Sequence, residues 1–166
     1  MTMDEKYVED IWKFLKTAFQ QILSSEELFK SLSFEELYRH ASVLVLHGHG
    51  DRLYSGIQEL VTEHLVEKVC NDVSLSHNDN FLDTLNTAWS RYQVSMVMIR
   101  DVVMLMDRKW SSQNGLHNVF TLGLVLFRDL VSCFFEIIFL IFVHWNLVNP
   151  VTNGPQKSCH IKLFFQ

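Results

Sequence analysis

Residues 1–149 contain no proline; both prolines of this 166-residue chain, Pro150 and Pro155, lie in its last seventeen residues. Proline breaks a helix by removing an N–H and clashing with the preceding turn, so nothing of that kind interrupts the first nine tenths of the chain. Glycine is nearly as scarce there. It occurs at Gly48, Gly50, Gly56, Gly115 and Gly123, and the first four sit near places where the hydrophobic pattern itself breaks. With 48% hydrophobic and 20% charged residues the chain has the material for a packed core. These facts predict an all-α fold: an elongated bundle of about five long helices followed by an apolar C-terminal segment.

The helix ends can be read from their chemistry. Helix one starts near Asp4, with Met3 and Val8 placed as a hydrophobic staple, and its stripe runs Val8, Ile11, Leu15, Ala18, Ile22, widened by Trp12 and Phe19. Residues 23–31 read equally as a frayed helical end or a loop. Ser33-Phe-Glu-Glu36 is a capping box flanked by Leu32 and Leu37, so helix two starts there and runs to His47 before Gly48-His-Gly50. Helix three follows from about Asp51 to Asn71. After a polar loop, Asn80 caps helix four, whose stripe Phe81, Leu85, Trp89, Tyr92, Met96, Ile99, Val103, Met106, Trp110 predicts one unbroken rod of roughly 45 Å. Its second row (Val94, Met98, Val102, Leu105) places it between neighbours or turns one side to a partner. Helix five begins after Gly115 and carries Leu116, Phe120, Leu124, Phe127 and Val131.

Several functions are disfavoured at this level. A net charge of −5 offers no basic footprint for nucleic acid. Cys70, Cys133 and Cys159 are odd in number and widely spaced, which suits a reducing compartment, cytoplasmic or nuclear. The start, Met1-Thr-Met-Asp-Glu-Lys6, is acidic where a signal peptide would be basic and then apolar. No phosphate loop, nucleophile elbow or zinc-protease motif occurs, and His47 with His49 falls two ligands short of a structural zinc site. The reading is therefore not an enzyme, with no catalytic residues, no metal and no cofactor. Phe34, at the first helical position and facing away from the Leu37–Val45 side with Tyr38 one turn on, is the candidate anchor for a protein partner.

Seven motifs carry a resemblance. Met1-Thr-Met-Asp-Glu-Lys-Tyr-Val8, Leu32-Ser-Phe-Glu-Glu-Leu-Tyr-Arg39, Val61-Thr-Glu-His-Leu65, Asn80-Phe-Leu-Asp-Thr-Leu-Asn86, Met96-Val-Met-Ile-Arg-Asp101, Met106-Asp-Arg108 and Leu122-Gly-Leu-Val-Leu-Phe-Arg-Asp129 together resemble the amino-terminal region of the cullin family, in its BTB-partnered branch. The resemblance covers residues 1–131 and implies the first cullin repeat. It implies a non-catalytic scaffold of a multi-subunit ubiquitin ligase, which docks BTB-domain substrate adaptors through its second helix and a later one. The adaptor-facing positions it implies are Ser33, Phe34, Glu35 and Tyr38, with Arg108 on the later helix. Ser42 and Leu105 stand where the family has tyrosines, which weakens docking if both are hot spots.

Residues 132–166 form a second, divergent segment. From Leu130 onward the chain holds six of its thirteen phenylalanines and only three charged residues, Glu136, Lys157 and Lys162. Phe134–Val143 shows neither a helical nor a strand period, and residues 146–166 read as irregular. The expectation is a cullin fragment without the region that binds the RING protein, unable to support ubiquitin transfer alone. Competing readings are a chain tethered to a membrane by residues 130–148, about 28 Å as a helix, or a cullin relic that has lost binding. In a further reading the segment completes the bundle or is a sticky end.

Overall fold

The computed structural model describes residues 4–24, 33–69 and 81–148. The staple residues Met3 and Leu32, the ambiguous stretch from Ser25, the end of helix three at Asn71, the Asn80 cap and the terminal segment from Asn149 lie outside the described residues. The chain divides into a compact unit of residues 1–131 and a second of residues 132–166.

Six α-helices and two wide turns make up the described chain, and among the described residues there is no strand. Helix α1 spans Glu5–Ser24. Its first turn folds back on Asp4, whose carbonyl accepts from Tyr7 and Val8, and its inward face is the expected stripe of Val8, Ile11, Leu15, Ala18, Phe19 and Ile22. Helix α2 spans Phe34–Leu46. Ser33 is extended (φ −78°, ψ 109°) and its hydroxyl accepts the Glu36 N–H at 3.4 Å, one arm of the capping box read from the sequence. The helix stops because Gly48 turns left-handed (φ +86°), a conformation open to glycine at little cost.

Helix α3 runs Gly50–His64 and continues as a π-type turn, Leu65–Val69. Helices α1, α2 and α3 pack pairwise, and helix α4 (Phe81–Val102) lies against α1 and α2. The core between them is mainly aliphatic; Phe19, Leu15, Leu37, Leu44, Leu53, Ile57, Met96 and Ile99 are almost completely buried. Burial of each such side chain stabilises the fold by about 1.5–3 kcal/mol. A single buried polar bond helps to fix α4 against α1: the Ser95 hydroxyl donates to the Ile22 carbonyl at 2.9 Å, satisfying an acceptor in the last turn of α1.

Four sequence expectations change. Helix four is not one rod, because Val103 leaves helical geometry (φ −101°, ψ 19°); a short α5 (Met104–Met106) and a π-type turn (Asp107–Ser111) follow. A stripe spaced by threes and fours survives such a local widening, so the periodicity does not reveal it. The last helix, α6, spans Val119–Val148 and starts later than Leu116, which is exposed. Gly115 turns left-handed (φ +65°), and the Asn118 side chain accepts the Thr121 N–H at 2.8 Å as the cap. Gly56 marks no break but lies inside α3, where a β-carbon would meet the Trp12 ring at 2.3 Å. Finally, α6 carries the backbone of Phe134–Val143 as helix, since a helix apolar all round shows no period. Among the described residues, no helix is long and apolar enough to cross a membrane.

Candidate functional site

Each residue of α2 advances about 100° around its axis. With Leu37, Ala41 and Leu44 buried at the centre of the inward face, Phe34, Tyr38 and Ser42 fall on successive turns of one flank, with Glu35 beside them. The opposite flank carries His40, whose ring packs against Phe14 of α1 with centroids 5.0 Å apart. The two flanks differ in kind. Phe34 leaves 46% of its surface exposed, although its ring stacks at 20° on Tyr38 with centroids 6.3 Å apart. Half-buried Tyr38 thus holds an exposed aromatic in place, and Ser33 and Glu35 frame it with polar, exposed groups.

Helix α2 also packs against α4 and against α5. The segment that begins with α5 brings Leu105, half-buried, and Met104, exposed, to the neighbourhood of α2, while Arg108 is exposed on the turn that follows. Ser42 differs from the rest. Its hydroxyl oxygen is buried and has no hydrogen-bond partner.

The turn bearing Arg108 is fastened by its neighbours. The Asp107 carboxylate accepts the Val119 N–H at 3.1 Å on both oxygens and the Ser111 hydroxyl at 3.3 Å. Burial pushes Asp107 above the ordinary carboxylate range, opposed by those two hydrogen bonds and by the field of Arg100. Trp110 packs on Tyr54 of α3 with ring centroids 5.6 Å apart, and the Tyr54 hydroxyl donates to the His117 carbonyl at 3.1 Å. Burial, then the Asp107 charge, raises the Tyr54 phenol. Neither Met104 nor Asp107 stands out as a site residue in the sequence. Met104 lies off both apolar rows of helix four, and Asp107 was visible only as the middle of Met106-Asp-Arg108.

Among the described residues, no group of three or more His, Cys, Asp or Glu is placed to hold a metal. His47 caps α2 at its C-terminus and His49 precedes α3. What the geometry offers is a helical surface with a braced aromatic, the kind of feature that recognises another protein.

Residues 12–150 of this all-α chain match the cullin alpha solenoid domain, which sets its class as a helical solenoid; the chain belongs to the cullin family. That match extends past residue 131, where the recognisable motifs end. The chain is 46% identical to Cullin-3 of Dictyostelium discoideum over 129 residues, 78% of this chain and 16% of that protein. It is 41% identical to Cullin-3 of Caenorhabditis elegans over 128 residues, 76% of this chain and 16% of the relative. With Cullin-3A of Arabidopsis thaliana the identity is 36% over 158 residues, 95% of this chain and 20% of the other. The chain thus spans about a sixth to a fifth of the length of these relatives.

Proposed function

We propose that this chain is a non-catalytic piece of a cullin-type ubiquitin ligase scaffold, whose first 131 residues capture BTB-domain substrate adaptors in the cytoplasm and nucleus. The observation that carries the reading is Phe34: a large aromatic, nearly half exposed, stacked on Tyr38 at the capped start of α2 in a cullin fold. Exposure forgoes part of the burial that stabilises a core phenylalanine, so the ring keeps apolar area that a partner can cover. Held by Tyr38 and by its position on the first turn of a helix, it loses little entropy on entering an apolar pocket. Glu35 and Arg108 supply the polar surroundings, and Leu105 a further apolar contact.

The test is calorimetric titration of the full chain with purified BTB domains. Phe34→Ala is expected to weaken binding at least ~30-fold, the cost of removing a hot spot of about 2 kcal/mol. Tyr7→Ala, which removes an equally exposed aromatic from α1, leaves affinity unchanged. Equal affinity for wild type and Phe34→Ala overturns the reading.

A further inference from the structure

We propose that Asp107 is a positioning residue of this docking surface: its carboxylate fastens the turn that carries Arg108, with Leu105 just before it, to the first turn of α6. The inference rests on the adaptor-docking reading above.

Val103 departs from helical dihedrals and a π-type turn follows at Asp107–Ser111, although the Val103 N–H still donates to the Ile99 carbonyl at 3.0 Å and the Asp107 N–H to the Val103 carbonyl at 3.2 Å. Side chains add to this ladder. Asp107 accepts the Val119 N–H through both oxygens at 3.1 Å and the hydroxyl of buried Ser111 at 3.3 Å. Arg100, whose field reaches Asp107, has its guanidinium engaged by Asp101 at 2.7 and 2.9 Å. The carboxylate therefore works as an acceptor for backbone rather than as half of an ion pair. Nor does α6 need it as a local cap, because Asn118 already caps Thr121. The bond joins two elements. On the α3 side the same turn is sealed by Trp110, whose ring lies so close over Gly50 that a β-carbon there would approach it to 2.6 Å. Leu105 and Arg108 lie within two residues of Asp107, so loosening this fastening displaces both.

The experiment uses the full chain and two variants that break one bond from opposite ends. Asp107→Ala removes the acceptor. Val119→Pro removes the donor at the first helical position, where the proline ring fits helix geometry, and Val119→Ala, which keeps the N–H, subtracts the loss of the buried side chain. Hydrogen exchange of the free chain and titration with a BTB domain are read together. Both variants are expected to speed exchange across residues 104–118 by about tenfold with α1 unchanged, and to weaken binding about fivefold. Asp107→Asn keeps a carbonyl acceptor and restores both to within about twofold of wild type. The affinity losses of Asp107→Ala and Arg108→Ala combine to less than their product in the double variant, because one acts through the other. Unchanged exchange or affinity in both single variants overturns the inference while leaving docking intact, as do losses that multiply independently. A wild-type chain that binds no BTB domain defeats the docking reading itself, and the positioning role falls with it.

Discussion

Phe34 and Ser42 sit two turns apart on one flank of α2, and the structure treats them oppositely: the ring is exposed and the hydroxyl is buried. The difference arises because a helix period describes α2 alone, whereas α4 and α5 also cover it. Sequence reasoning therefore placed Phe34 outward and found its cap, both local matters, but had no means of foreseeing the unpaired Ser42 oxygen. A buried hydroxyl without a partner costs its desolvation and returns nothing. Ser42→Ala is accordingly expected to leave stability unchanged or raise it by up to about 1 kcal/mol, read from urea midpoints. Asp107 yields a second prediction at this scale. Its folded pKa is raised, chiefly by burial, so the native state binds a proton more tightly than the unfolded chain. Its contribution is most favourable below the ordinary carboxylate pKa and declines as pH rises through the raised value. Relative to Asp107→Asn, wild type should lose stability as pH climbs from the ordinary carboxylate pKa through the raised one. A constant difference between the two across that window contradicts it.

Helix existence and helix interruption were unequally legible. α1 and α2 end where capping chemistry says they should, at Asp4, Ser33 and Gly48, because those signals act within one turn of the chain. The widening after Val103 has no signal in the local pattern, whereas the late start of α6 has two that the apolar stripe outweighs, left-handed Gly115 and the Asn118 cap; the Asp107 bond to Val119, twelve residues on, is encoded by neither. Glycine was half legible. Gly50 does stand at a helix boundary, as the first residue of α3, but Gly56 lies inside α3; the two seat the Trp110 and Trp12 rings, while Gly123 in α6 admits Met96. Helix propensity alone says that Gly56→Ala should stabilise α3 by up to about 1 kcal/mol. The Trp12 ring says otherwise, because an added β-carbon at 2.3 Å forces it to move. The expected outcome is a net loss of about 1–3 kcal/mol, as in overpacked cores. A more stable Gly56→Ala in urea unfolding would show that Trp12 relocates freely.

At the scale of the molecule, the all-α class followed from the absence of proline over residues 1–149, and the family from motifs spread over residues 1–131. The helical continuity of α6 was hidden because a segment apolar on every side gives periodicity nothing to detect. Among the described residues of 1–131, three exposed aromatics distinguish the faces: Phe34 on α2, and Tyr7 and Phe14 on α1, exposed by 51% and 39%. Docking through α2 and α5 predicts that a partner covers the first and spares the other two. Hydroxyl-radical footprinting reads this directly, since exposed aromatic rings oxidise readily and each can be followed by mass spectrometry. Addition of a saturating BTB domain should protect Phe34 and Tyr38 while Tyr7 and Phe14 oxidise as in the free chain. A complex in which Phe34 remains fully reactive, or in which protection falls on Tyr7 and Phe14 instead, contradicts the account.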